Sequence, residues 1–372
     1  MVGLMAAQHN VLGSHFHRKN ELERHGYEIM GRISWMFAIL LVVGCSKSKG
    51  PVNEEELPQA TDPIAEIQPI IHQNPIIRHL YTADPSARVW ADGRLYIYAS
   101  HDIDPPQGCD LMDQYHVFST DDMVNWTDHG EILRASDVSW GRSDGGFMWA
   151  PDCVYKDGTY YFYFPHPSGD DWNNTWKIGV ATSTEPASGF TVQGYIEGLE
   201  PLIDPHVFID DDGQAYLYQG GGRRCMVGKL KDNMMEIDGS MTIIYGLLDF
   251  HEAPWMHKKD GIYYLSYADN YDSDGKHNRL RYATSNSPLG PWSYKGVYLE
   301  STDSYTSHGS IVEYKGQWYA FYHNSSLAIE NGAPAHQQDW IRSVCYDRLF
   351  YNADGTIKKV TQTLEGKVIG HQ

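Results

Sequence analysis

Three carboxylates sit in similar surroundings far apart in the chain: Asp84 in ADPS, Asp204 in IDPH and Glu252 in EAPW. A proline follows each by one or two positions, fixing the backbone and ending ladder pairing there. Taken singly, an Asp before Pro is an ordinary turn residue. Brought together, three carboxylates raise one another's pKa, and such a group persists where it binds a metal or does acid–base work. Hydrolysis of a glycosidic bond uses this set. One carboxylic acid protonates the leaving oxygen, and another carboxylate activates water or attacks directly. The acid must stay protonated near neutrality, so burial or a neighbouring charge has to raise its pKa. A third carboxylate supplies that charge, and the longer reach of glutamate suits Glu252 to proton donation.

The elements that would gather these residues recur along the sequence. Five turn-plus-strand segments read ADGRLYIYAS, KDGTYYFYFP, DDGQAYLYQG, KDGIYYLSYA and YKGQWYAFYH, with turn glycines at Gly93, Gly158, Gly213, Gly261 and Gly316. A second stretch follows each and reads as a strand–turn–strand hairpin, as in WKIGVATSTEPASGF and RSVCYDRLFYNADGTIKKV. Each unit then holds four strands, the size of a propeller blade. No long stretch of 3.6-residue apolar period competes after residue 75. The expectation is an all-β fold, a five-bladed β-propeller of four-stranded antiparallel blades over 75–368. A β-sandwich does not repeat at this period.

Equal offsets from the turn glycine should fall at equivalent places. Nine residues before it stand Asp84, Trp149, Asp204 and Glu252; in the fifth unit His308 lies eight before. Strand starts at this phase would ring one mouth of the central channel. Trp149 would there floor a sugar site, and His308 reads either as a structural histidine or as a water-mediated metal contact on the axis. Asp152, beside the ring, reads as a turn or supporting residue that could also meet substrate.

The series resembles glycoside hydrolase family 43, five-bladed propeller enzymes acting on arabinose- and xylose-containing plant polysaccharides, over essentially 75–365. The resemblance implies Asp84 as general base, Asp204 as the residue that modulates the acid's pKa, and Glu252 as general acid in an inverting mechanism. It also implies Trp149 of WAP in the sugar subsite, His308 of SHGS on the axis, and Arg342 of RSVCYD as a substrate arginine. No cofactor is implied for the chemistry, though one structural calcium ion on the axis is compatible with it. The insert at 101–116 would sit at one rim and block part of the groove, and the chain ends soon after the fifth unit, without room for an added β-sandwich domain. These features favour exo-acting release of α-L-arabinofuranosyl or β-D-xylosyl units. An endo-arabinanase is the alternative within the family, and a non-catalytic glycan-binding propeller is the alternative outside enzymes. The latter would need no trio of acids. Fructan-cleaving and sialidase propellers match less well: neither a WMNDPNG-type motif nor an arginine triad can be assembled.

Composition agrees. The chain has 372 residues and a formal net charge of −19, which repels phosphate backbones and argues against a nucleic-acid partner. Its 26 Tyr and 11 Trp suit strands and sugar stacking. Near the start, Trp35–Gly44 (WMFAILLVVG) follows a basic residue and precedes Cys45, about half the length of a membrane span. This reads as a signal over 1–44, with Met30 as the true start, and a lipobox that leaves a lipid on Cys45. Residues 45–74 read as a flexible tether. The protein is therefore expected to be an exported lipoprotein of the outer membrane or periplasm, touching membrane only through that lipid. Cys109, Cys153, Cys225 and Cys345 show no metal or disulfide spacing and read as scattered thiols.

Overall fold

Every one of the five turn glycines lies in the connection between the first two strands of a sheet, and the five sheets close into a ring. The computed structural model describes residues 74–368 apart from 104–108, 143, 270–278, 303, 339 and 365–366. The signal at 1–44, the start at Met30, Cys45 and the tether up to residue 73 lie outside the described residues. Blade one holds β1 (Tyr81–Val89), β2 (Leu95–Asp102), β3 (Gln114–Thr120) and β4 (Thr127–Arg134). Blade two holds β5 (Asp152–Lys156), β6 (Thr159–Pro167), β7 (Trp176–Ser183) and β8 (Thr191–Tyr195). Blade three holds β9 (Ile203–Ile209), β10 (Ala215–Gly221), β11 (Arg224–Leu230) and β12 (Ile237–Ile243). Blade four holds β13 (Phe250–Lys259), β14 (Ile262–Asp269), β15 (Leu280–Ser285) and β16 (Ser293–Leu299). Blade five holds β17 (Gly309–Tyr314), β18 (Gln317–Asn324) and β19 (Ser343–Leu349). Within each sheet the strands pair antiparallel in chain order. The first strands β1, β5, β9, β13 and β17 touch one another in a closed circuit, which puts them around the axis.

The stretch after β19 does not form the expected hairpin strand; it makes an isolated bridge, Tyr351 to Ile357, and then a separate short pair, Thr363–Leu364 with Lys367–Val368. The free edge of β19 is taken instead by the other end of the ring. Ile76 donates its N–H to Val344 O at 2.9 Å. Buried Asn74 imitates a strand residue with its side chain: its amide donates to Tyr346 O at 2.8 Å and accepts the Tyr346 N–H at 3.0 Å.

The apolar core is five seams between neighbouring blades rather than one interior. One seam, between blades one and two, joins Tyr98 and Tyr115 to Phe162 and Phe164. Its counterpart between blades three and four joins Tyr218 and Val227 to Leu265 and Ala283. Each seam is also stitched by a tyrosine hydroxyl that reaches an outer turn of the next blade. Tyr98 donates to Pro186 O, Tyr163 to Met234 O, Tyr218 to Pro288 O, Tyr264 to Gly355 O and Tyr346 to Met123 O, at 2.5–2.9 Å. A buried phenol needs a partner for its O–H, and in these five the partner lies across a seam. Cys153, Cys225 and Cys345 are buried free thiols in the same seams.

Candidate active site

The carboxylates are aimed by bulges. In β1, Asp84-Pro85 are two residues set opposite one residue of β2, because Ala83 pairs with Ser100 and Ser86 with Tyr98. In β9, Asp204-Pro205 do the same against β10. Both aspartates take a left-handed backbone, φ 51° in each case. Pro follows directly and cannot donate to the ladder, so the interruption is written into the sequence. In β13 the bulge is Ala253-Pro254, with Ala253 at φ 61°, and Glu252 still pairs with Ala268. Glu252 therefore stands one residue before its bulge, whereas Asp84 and Asp204 stand in theirs. The common nine-residue spacing hides this because the hairpin loops differ. Blades one and three have five-residue loops at 90–94 and 210–214, and blade four has the two-residue turn Asp260-Gly261.

Around these bulges the charges are arranged unequally. Asp84 is 5% exposed. Its Oδ2 accepts from Ser100 Oγ at 2.7 Å, its Oδ1 accepts from Arg342 Nη1 at 3.0 Å, and its own N–H donates to His323 Nδ1 at 3.1 Å. Burial alone would raise its pKa, but Arg342, helped by His323, His308 and Ser100, outweighs burial and holds the carboxyl below the usual range. Asp204 is raised well above that range by burial first, then by the charges of Glu252 and Asp84, against the N–H of Ala253 that donates to its Oδ2 at 2.8 Å. Glu252 is also raised, by burial and by Asp84, against His251, whose Nε2 lies 3.8 Å from Glu252 Oε2. Asp204 and Glu252 titrate as a pair that resists carrying two charges. The site thus holds one carboxylate ready to accept a proton and a pair that retains one.

His308 Nδ1 lies 3.9 Å from both Asp84 Oδ1 and Asp204 Oδ2, and burial lowers its pKa to about 4, leaving a neutral imidazole between the two acids. Trp149 is half-buried in the segment before β5 and packs into an aromatic box with Phe147, Trp172 and Trp176, ring centroids 4.8–5.8 Å away.

Two residues expected to meet substrate are occupied otherwise. Asp152 is fully buried: Ser86, both arms of Arg88 and the Cys153 and Val207 N–H groups donate to its oxygens, and His206 Nδ1 lies 3.1 Å away. No oxygen is left for a sugar hydroxyl, so Asp152 joins blades one, two and three at the axis and is not a binding residue. Arg342 is likewise buried. Its side chain donates to both oxygens of Asp102 at 2.9 Å and to Asp84, and its backbone N–H to Asp102 at 2.7 Å. Its contact with Asp84 is the chief effect opposing burial there and lowers that carboxyl's pKa.

Asp102, Ser100, His323, Arg88 and His206 were not singled out by sequence reasoning. A signal existed for Asp102, which ends a largely apolar strand, where a buried charge requires a partner.

An axial calcium ion can be tested by donor chemistry. Calcium takes six to eight oxygen ligands. Here the axis offers a histidine nitrogen and carboxylates already engaged by Arg342 and Arg88, and no cluster of three ligating side chains occurs among the described residues. The residues present do not fit a directly ligated calcium, and no step below is routed through one.

A ring of first strands whose bulges present one ionised and two proton-sharing carboxylates at a channel mouth defines a propeller glycoside hydrolase. The chain belongs to that class through one family: residues 72–357 match the model for glycosyl hydrolases family 43. It is 36% identical to a xylosidase/arabinosidase of Humicola insolens, over 76% of this chain and 98% of that protein. It is 35% identical to a xylosidase/arabinosidase of Bacteroides ovatus, over 77% and 96% respectively. Among solved structures it resembles a β-xylosidase/α-arabinofuranosidase of the family from a compost metagenome, crystallised with xylotriose in calcium-free form. That match has TM-score 0.67 and 36% identity, and covers 77% of this chain and 97% of that one. Hydrolysis in this family needs no cofactor.

Proposed function

We propose that this hydrolase removes terminal pentoses, α-L-arabinofuranosyl, β-D-xylosyl or both, from plant-derived oligo- and polysaccharides, with Asp84, Glu252 and Asp204 as its working carboxylates. The observation that carries this reading is the opposed setting of Asp84 and Glu252, the first held ionised by Arg342 and the second held towards its protonated form by burial. Asp84 takes a proton from water as the water oxygen bonds to the anomeric carbon. The glycosidic C–O bond breaks, and the proton of Glu252 goes to the departing oxygen. Asp84 ends protonated and Glu252 ionised, and exchange with solvent restores both. Configuration inverts, as in the family. Asp204, fastened to the Ala253 N–H, keeps the Glu252 segment in place and keeps a proton on the pair. Two relatives matched over nearly their whole length are named for both pentoses, which supports dual specificity.

The test is hydrolysis of 4-nitrophenyl α-L-arabinofuranoside, 4-nitrophenyl β-D-xyloside and linear arabinan by wild type and Glu252→Ala. Release of single pentoses supports the reading. Mid-chain cutting of arabinan with no action on either aryl pentoside points to the endo enzyme.

We further infer export and lipid attachment at Cys45 from the Trp35–Gly44 run before it. Labelling with a radioactive fatty acid and membrane fractionation of Cys45→Ala test this. An ion on the axis, held beside His308 through water, would show as a rise in Tm on calcium titration.

A further inference from the structure

Connections from second to third strand lie at the end of each blade where the first strand begins. They span 103–113, 168–175, 270–279 and 325–342 in blades one, two, four and five, but only Gly222-Arg223 in blade three. Those two residues make a tight turn with φ 58° and 69°, so nothing rises above the sheet there. Behind the turn is a cleft of about 330 Å³, lined among others by Arg223, Arg224, Tyr245, Leu247, Asp249 and Phe250. That size is at the lower end of ligand sites. Its walls are set by the Arg224–Glu200 ion pair and by Asp249, 3.2 Å from Arg281. Tyr245 is 77% exposed, with exposed Ile243 and Leu248 on either side in sequence.

The cleft leads to the acid. Phe250 and Glu252 share β13, and the Arg223 N–H donates to His251 O at 3.3 Å, tying the low turn to the residue beside Glu252. The leaving oxygen must meet Glu252, so the departing chain begins on its side of the mouth. On that side blade three carries only the two-residue turn Gly222-Arg223. Tyr245 follows the outermost strand of the blade, three strand spacings or ~14 Å from the innermost one, a span that more than one sugar ring is needed to cross.

We propose that the leaving part of a pento-oligosaccharide runs out over blade three, across His251 and Arg223, and stacks a distal sugar ring on Tyr245. This rests on the hydrolase reading above. Tyr245 supplies an aromatic face with a polar tip, the combination suited to a sugar, whose C–H face is apolar and whose rim is hydroxylated. It sets how the enzyme ranks substrates by leaving-chain length rather than which pentose is removed.

The experiment compares kcat/KM for xylotriose and arabinotriose with that for the matching 4-nitrophenyl pentosides, in wild type, Tyr245→Ala and Tyr245→Phe. The ratio of trisaccharide to aryl pentoside should fall about tenfold in Tyr245→Ala, mainly through KM, as expected for the loss of ~1.4 kcal/mol. Tyr245→Phe should restore most of it. An unchanged ratio in Tyr245→Ala overturns the proposal, as does a changed association state by sedimentation without a changed ratio. A wild type that cleaves none of these substrates sinks the hydrolase reading itself.

Discussion

The Ala253 N–H donates to Asp204 Oδ2 at 2.8 Å, so the residue next to Glu252 on blade four is fastened to the carboxylate of blade three that shares its proton. This contact ties the backbone beside the acid to the carboxylate with which it is coupled. Asp204→Asn removes the charge and keeps an oxygen for the N–H. Like-charge repulsion on the pair then ends, and the pKa of Glu252 falls. Turnover requires protonated Glu252, so the alkaline limb of the kcat/KM profile should move to lower pH; an unmoved limb would remove Asp204 from the acid's control.

Loss of the acid itself should depend on the leaving group. Glu252→Ala is expected to lower kcat on xylo-oligosaccharides by about 10²–10⁴. Aryl pentosides, whose leaving oxygen needs less protonation, should lose much less. Equal losses on both would mean that Glu252 is not the proton donor.

Arg342 acts on the opposite limb. Asp84 must be ionised to work, and activity fades as pH falls through its pKa. Arg342→Met removes the main opponent of burial, raising that pKa, so the acidic limb should move to higher pH. The variant also strands Asp102 and Asp84 without their cation, at a cost of roughly 3–5 kcal/mol. Asp84→Asn/Asp102→Asn/Arg342→Met, which leaves neither carboxylate without its cation, serves as the fold control: recovery of its Tm separates the stability loss from the shift of the pH limb.

The tyrosine stitches predict stability without function. Tyr218→Phe loses the 2.5 Å bond to Pro288 O and leaves that carbonyl unpaired in a seam. About 1–3 kcal/mol, or a few degrees of Tm, should go, with KM unchanged. A variant as stable as wild type would mean that packing alone holds the seam.

His166 gives a pH-dependent case away from the acids. It is fully buried, and burial followed by Arg142 lowers its pKa to about 4. An unfolded histidine titrates near 6.5. Protonation between these values favours the unfolded chain, so this residue's contribution is intact above pH ~6.5 and lost as pH falls towards 4. His166→Leu should therefore gain Tm relative to wild type between pH 7 and pH 5. A constant difference across that range would place the titration elsewhere.

Much of this was legible because the fold repeats. Gly93, Gly158, Gly213, Gly261 and Gly316 share a phase, and that phase alone collects Asp84, Asp204, Glu252, Trp149 and His308. What the phase could not show was geometry that counts residues differently. Five-residue loops and two-residue turns give the same nine-residue spacing, so Glu252 looked equivalent to the aspartates although Ala253 occupies their bulge position. Partnerships across blades were hidden as well. Asp152 and Arg342 have the composition of substrate ligands, and only their contacts with Arg88 and with Asp102, 64 and 240 positions away, show that they are already taken. The sequence still alternates after β19, as a fourth strand of blade five would, but the edge is filled by residues before β1.

That last arrangement has a bearing on assembly. Asn74 meets Tyr346 across 272 positions, so a chain made from its amino end cannot complete the ring until its last long strand exists. Blades one to four can form their sheets as they emerge, each from local hairpins, while blade one presents an uncovered seam until blade five arrives. Closure is thus the most non-local event in folding and the one with the greatest loop entropy to overcome. The interval before it is when an unfinished chain is most open to pairing with another.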